Sequence, residues 1–317
     1  MIETQNPIKL WRSGASCDAQ RQPYCSQDIL SDDDAFHTKT SGCPLHLVTD
    51  AAVAPDTLKG GVILLGNFDG FHRGHQALLD VATEQAGLKP IGVMSVEPHP
   101  RQLFAPEAGA FRLSTPASKM ETFSRFGMSF LYSPRFDHSF ASQQPEQFVD
   151  DILVCGLGIS HLVVGRDFRF GARRRGDVNL LRCMGQNRGF SVTAVDEIEW
   201  GDVRCSSTLV RNLLLAGNIE DANEMLGYNW GFEVDLPSEA IRQSGEWTTR
   251  WPEALLIPER GRYEVALRRI GETIPLLSGR ITIDSPGRVM LSLDSPLHVA
   301  SAAQPSLFID FLARSRK

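Results

Sequence analysis

Gly61–Leu79 reads GVILLGNFDGFHRGHQALL. Val62, Ile63, Leu64 and Leu65 form a short apolar run that predicts a buried strand, and Gly66-Asn67-Phe68-Asp69-Gly70 predicts a tight turn. A helix should open near His72 and carry Ala77, Leu78, Val81 and Ala82 at helical spacing through Gln76–Glu84, with Gly87 as its stop. His72-Arg73-Gly74-His75 then falls where a helix presents unpaired N–H groups and the positive end of its dipole. A strand feeding such a terminus is an anion site, and the bare Gly74 lets a phosphate approach the backbone. A zinc-protease reading fails, because it needs histidines four apart with a glutamate between them.

Working outward, strands and helices alternate on both sides. Ile91–Val96 predicts a second strand, and Pro98-His99-Pro100 after it predicts an extended, rigid loop. Ser114-Thr115-Pro116 is a cap with proline at the first helical position, and Gly127 closes that helix. Ser129–Tyr132 and His161–Val164 predict strands around a helix over Pro145–Cys155. A helix over Asp177–Asn187 and an alternating strand through Val192, Ala194 and Asp196 follow. Ser206 or Ser207 caps a helix through Leu215, and Ile219–Leu226 is a last helix stopped by Gly227. This alternation predicts an α/β fold with a doubly wound parallel sheet, whose ligands bind outside the carboxyl ends of the strands.

Past Gly227 the texture changes to alternating segments, Tyr263–Leu267, Gly279–Ile283 and Arg288–Leu293, with a turn pair at Pro286-Gly287. Phe308–Leu312 reads as a strand or a short helix. The expected organisation is a polar extension over 1–47, a nucleotide-handling domain over 48–228 and a small β-rich domain over 229–317.

Composition sets outer bounds. Of 317 residues 42% are hydrophobic and 22% charged, with a net charge of −6. Nothing global points to nucleic acid or an anionic membrane, although Arg173-Arg174-Arg175 is a local basic cluster. No apolar run approaches the roughly 18 residues of a spanning helix, and the chain reads as cytoplasmic. There are six cysteines, Cys17, Cys25, Cys43, Cys155, Cys183 and Cys205, of which the last three, far apart in regular elements, suit reduced thiols. The first three, with His37 and His46, match no compact zinc spacing, so no metal site is assigned.

The chemistry that these residues favour is nucleotidyl transfer. Attack on the α-phosphorus of a nucleoside triphosphate builds charge on oxygens, so catalysis needs fixed donors more than a covalent nucleophile. His72, His75 and the helix N-terminus supply such donors, and Arg211, one turn into the helix after Ser206-Ser207-Thr208, can reach the outer phosphates. Phe170, in Asp167-Phe168-Arg169-Phe170-Gly171, either packs inward or faces a planar ring. Taken singly, the serines are an ordinary cap and the prolines an ordinary loop.

Together, G-N-F-D-G-F-H-R-G-H-Q-A-L-L (66–79), V-E-P-H-P (96–100), V-G-R-D-F-R-F-G (164–171) and S-S-T-L-V-R (206–211) resemble the adenylyltransferase domain of bacterial bifunctional riboflavin kinase/FAD synthetases. That domain belongs to the H-x-G-H nucleotidyltransferases. The resemblance spans about 48–228 and implies Mg²⁺-dependent transfer of AMP from ATP to FMN, giving FAD and pyrophosphate. It implies that Gly66, Asn67, Phe68, His72, Gly74 and His75 hold ATP. It further implies that Ser207, Thr208 and Arg211 close over the phosphates with Arg204 nearby, and that Pro98, His99, Pro100, Asp167 and Phe170 line the flavin side. Glu97 stands where many members carry Asp, and Leu209 where many carry Arg. The kinase module's P-T-A-N motif occurs nowhere, so the expectation is FMN adenylyltransferase activity alone, on a degenerate barrel over 229–317. The rival readings are a relative with another phosphorylated acceptor and a non-catalytic flavin or nucleotide sensor.

Overall fold

The computed structural model describes residues 45–200, 203–236, 245–285, 288–295 and 307–315. Cys17, Cys25, Cys43, His37 and the Pro286-Gly287 turn lie outside the described residues, as does almost all of the polar extension.

The first half is organised on six parallel strands. In chain order the elements are β1 (His46–Val48), β2 (Val62–Leu65), α1 (Arg73–Ala86), β3 (Ile91–Met94), α2 (Pro100–Phe104), α3 (Pro116–Arg125) and β4 (Phe130–Tyr132). They continue with α4 (His138–Ala141), α5 (Pro145–Gln147), a π-wound Phe148–Gly156, β5 (His161–Gly165), α6 (Val178–Arg188) and β6 (Ser191–Val195). The strand order is β1-β4-β3-β2-β5-β6. Leu65 is level with Met94 on one side and Val164 on the other, so the carboxyl ends of β2, β3 and β5 are flush. The chain leaves β2 toward β3 and β4 on one side and reaches β5 and β6 on the other, so a crevice opens where the winding reverses. β2 is completely buried, as its unbroken apolar run requires. Gly92 lets β3 and β4 approach, because a Cβ there would lie 2.2 Å from the Phe130 ring.

Two local readings are corrected. Pro98-His99-Pro100 is not an extended loop; it opens α2. His99 Nδ1 accepts the N–H of Arg101 at 3.1 Å, and Gln102 Oε1 accepts the N–H of His99 at 3.1 Å. Proline at the first helical position needs no N–H partner, so the same residues that stop a strand can start a helix. The second correction is β3, which ends at Met94 rather than Val96, level with Tyr132 at the end of its neighbour β4.

A short hairpin of β7 (Glu199–Trp200) and β8 (Val203–Arg204) leads to α7 (Ser207–Leu215) and α8 (Ile219–Leu226). The second half is a curled antiparallel sheet of β9 (Gly231–Val234), β10 (Gly245–Arg250), β11 (Gly261–Arg269), β12 (Leu277–Ser285), β13 (Arg288–Leu293) and β14 (Leu307–Arg314). Its order is β10-β13-β12-β11-β14-β9. Phe308–Leu312 is therefore strand. Trp230, Phe232, Trp251, Tyr263 and Phe311 fill the concave side. Val210, Leu213 and Leu214 of α7 and Ile219, Ala222 and Leu226 of α8 bury into this same cluster. The two halves thus share a continuous apolar core through α7 and α8. Among the described residues no helix is long and apolar enough to cross a membrane.

Candidate active site

The turn after β2 delivers His72 as the N-cap of α1 without a side-chain cap bond. Phe68 takes a left-handed φ of 44°, a strained setting for a large residue that its full burial sustains. The rings of His72 and His75 stack at 3.7 Å. A Cβ on Gly74 would lie 3.1 Å from His72 Nδ1, so the glycine makes room for the imidazole as well as for any ligand. His75 Nδ1 donates to the carbonyl of Gly70 at 2.9 Å, which leaves Nε2 as the bare nitrogen of the neutral ring. Burial pushes His75 down to about 4 and, with help from His75, Arg211 and Arg204, pushes His72 down to about 2. Both rings are neutral at pH 7. His72 Nδ1 is buried without a hydrogen-bond partner.

Between these histidines and the rest of the crevice lies Asp69, 1% exposed. Its carboxylate accepts the N–H groups of Leu113 at 3.0 Å and Ser114 at 3.2 Å, the Ser114 hydroxyl, Arg112 Nε at 3.3 Å and an Arg211 guanidinium N–H at 2.7 Å. Burial would raise its pKa, but Arg112, Arg211 and the backbone donors outweigh that and hold it below the usual carboxylate range. Arg112 reaches on to Glu97 at 2.7 and 3.0 Å and to Gln102 at 2.8 Å. Lys119 donates to Glu97 at 2.8 Å and to Ser95 Oγ at 2.8 Å. Five charged side chains from five segments therefore interlock beneath the crevice.

On the second helix, Ser206 is the cap, accepting the N–H of Leu209 at 3.2 Å, while the Ser207 hydroxyl donates to the carbonyl of Asp69 at 2.8 Å. α7 is thereby tied to the turn. Thr208 is exposed. Arg211 also donates from Nε to the carbonyl of Phe111 at 2.9 Å, which leaves further N–H groups of its fork uncommitted among the described residues. Arg204 is exposed and pairs with Glu197 at 2.7 Å and Asp167 at 3.4 Å. Leu209 packs against the apolar cluster shared with the second half.

The structure thus brings Gly66, Asn67, Phe68, His72, Gly74, His75, Ser207, Thr208 and Arg211 to one end of the sheet, with Arg204 and Asp167 at the rim. Pro98, His99 and Pro100 lie between Glu97 and Gln102, both bonded to Arg112, and His99 packs edge-on to Phe111 at 5.1 Å. Phe170 departs from the ring-facing option. It is 8% exposed in the apolar cluster below the sheet, stacked on Phe168 at 5.8 Å and packed on Phe148 at 5.6 Å. The hairpin that joins Phe170 to Gly176 turns the ring inward. An exposed aromatic does stand nearby: Phe104 ends α2, 64% exposed, with Phe136 edge-on at 5.9 Å. Arg173 and Arg174 lie exposed in left-handed backbone at φ 54° and 57°.

Sequence reasoning missed Asp69, Arg112 and Lys119. Asp69 carried one signal, its place inside a glycine-bracketed turn; Arg112 and Lys119 carried none, because their partners are distant in the chain. Among the described residues no cluster of three metal-type ligands occurs.

A family model for FAD synthetase matches residues 54–209. The bifunctional riboflavin kinase/FMN adenylyltransferase of Pseudomonas fluorescens is 42% identical over 244 residues, 74% of this chain and 78% of that protein. The FAD synthetase of Listeria monocytogenes is 31% identical over 220 residues, 68% and 86% of the two chains. A crystal structure titled a macrolide-efflux protein from Streptococcus pneumoniae superposes with a TM-score of 0.68 at 21% identity, covering 86% of this chain and 90% of its own, which establishes shared fold only. A doubly wound sheet with a histidine pair at the α1 N-terminus and a match of this extent have one reading: the chain is a nucleotidyltransferase that belongs to the FAD synthetase family.

Proposed function

We propose that the protein is an FMN adenylyltransferase, transferring AMP from ATP to FMN, and that it lacks riboflavin kinase activity. The observation that carries the first half is the stacked, neutral His72–His75 pair at the N-terminus of α1, with Arg211 tied across to the same turn. An oxygen of the FMN phosphate forms a bond to the α-phosphorus, the bond from that phosphorus to the bridging oxygen breaks, and pyrophosphate leaves. The FMN phosphate is already ionised near pH 7, so no general base is required.

His75 enters this step with Nε2 bare. The arriving polyphosphate supplies negative charge that favours the imidazolium, so His75 takes up a proton and donates from Nε2 while Nδ1 stays on Gly70. Arg211 turns its free N–H groups to the outer phosphates, and Ser207, Thr208 and the first N–H groups of α7 add donors. Gly66, Asn67, Phe68 and Gly74 shape the ATP pocket, with Arg204 at its rim. Pro98, His99, Pro100 and Asp167 border the flavin, and Phe104 is better exposed than Phe170 to stack on its ring. Mg²⁺ would be held mainly by the phosphates, because the described residues offer no three-ligand cage of their own, and it would neutralise charge developing on them.

The second half rests on the missing P-T-A-N motif, against relatives that carry both activities in their names and one, from Listeria monocytogenes, named for FAD synthesis alone. Incubation with ATP and Mg²⁺ and either FMN or riboflavin tests both halves. FAD from FMN and no FMN from riboflavin is expected; an untouched FMN refutes the first half, and phosphorylated riboflavin refutes the second.

A further inference from the structure

The stretch Phe111–Thr115 belongs to no helix or strand longer than a single bridge, yet it supplies most of the groups that hold Asp69. Its inward side faces the crevice: Leu113 N–H, Ser114 N–H and the Arg112 guanidinium meet Asp69, and the Phe111 carbonyl takes Arg211 Nε. Its outward side makes four hydrogen bonds to the second half of the chain. Arg112 N–H donates to the carbonyl of Ala254 at 3.0 Å, and its carbonyl accepts the N–H of Leu256 at 2.8 Å. Trp230 Nε1 donates to the carbonyl of Leu113 at 2.8 Å, and Thr115 Oγ1 pairs with Glu233 Oε2 at 2.6 Å. Leu255, Leu256 and Trp230 are no more than 2% exposed, so this outer frame sits in the rigid core.

We infer that the C-terminal sheet is part of the frame of the nucleotidyl-transfer site: Trp230 and Leu255–Leu256 fix the loop Phe111–Thr115, and that loop sets Asp69 and Arg211 in position for ATP. This rests on the adenylyltransferase reading only in identifying the nucleotide. Trp230 is a positioning residue, acting through Leu113 and Asp69 on Arg211. The arrangement gives the second half a role in catalysis that needs no kinase chemistry. A shift of about an ångström in a positioning group suffices to cost an enzyme one to two orders of magnitude.

The test uses the full-length chain. Trp230→Phe keeps a ring in the core and deletes the N–H. Trp247→Phe is the control, since Trp247 packs on the same cluster but its Nε1 is buried without a partner. Calorimetric titration with α,β-methylene-ATP and Mg²⁺ should give a Kd raised about tenfold for Trp230→Phe at unchanged stoichiometry, with the KM for FMN within twofold of the parent. Trp247→Phe should match the parent. Glu233→Ala, which removes the bond from Thr115 to the second half and leaves its cap with Ser118, should give a smaller shift in the same direction and serves if Trp230→Phe does not fold. An unchanged Kd overturns the inference, as does an equal rise in Trp247→Phe or a lost stoichiometry at parental Kd. If the parent makes no FAD while the Kd pattern holds, the FMN reading fails and the positioning role stands.

Discussion

Two buried arginine–carboxylate networks meet α3 two residues apart, and they are finished differently. At the crevice, Lys119 joins Glu97, Arg112, Asp69 and Arg211; Arg211 is 16% exposed with donors to spare, and the neighbouring His72 Nδ1 has no partner. At the junction of the two halves, Glu121 and Asp310 enclose Arg268, whose guanidinium also reaches the carbonyl of Glu272 and packs over Phe308 at 4.4 Å. Arg268 is 2% exposed, and opposing carboxylates hold its pKa above the ordinary value against burial. The junction network commits its donors to buried acceptors, whereas the crevice network keeps donors of Arg211 in reserve.

That contrast can be broken in order of expected effect. Arg268→Ala leaves Glu121 and Asp310 buried without their cation and should cost about 3–5 kcal/mol in urea unfolding. FAD formation per folded molecule should change by less than threefold; a larger change would merge the two networks functionally. His75→Ala should do the reverse, lowering kcat/KM by about a hundredfold, the effect of one lost transition-state donor, with little change in the unfolding midpoint.

Acid should separate stability from affinity. His75 and His99 are held down to about 4 and His72 to about 2, below the 6.5 of the unfolded chain, so the unfolded state binds protons first. Stability is then fully present above pH 6.5 and falls as pH drops from 6.5 toward 4, by about 1.4 kcal/mol per pH unit for each histidine. The raised carboxyls of Asp80 and Asp310 offset part of this. The Tm at pH 5 should lie below that at pH 7.5, whereas binding of ATP should take up about one proton at pH 7, seen as a buffer-dependent heat. No proton uptake would mean that His75 acts as an acceptor instead.

The smallest effect is expected outside both networks. Arg173→Gly relieves a left-handed φ at an exposed turn and should raise stability by about 0.5–1 kcal/mol with no change in rate.

Much of this was readable before folding. The β2 run, the glycine-bracketed turn, the caps at Thr115 and Ser206 and the stops at Gly87 and Gly227 act within a few residues, so local chemistry reports them. Pro98-His99-Pro100 misled, because proline ends a strand and begins a helix with the same fixed φ. Phe170 was undecidable locally, since the direction of its ring depends on the hairpin closed by Gly176. Arg112 looked like any surface arginine until its partners, Asp69 at 43 residues' distance and Leu256 further on, came together.

The sequence by itself determined the parallel sheet, the helix-terminal histidine pair and the class of reaction, because strand period, turn chemistry and helix capping are short-range. The tertiary structure alone decided that those histidines are neutral, that Asp69 binds three segments into one site and that the C-terminal sheet reaches behind it. Burial, desolvation and the pairing of distant charges exist only once the chain has closed on itself.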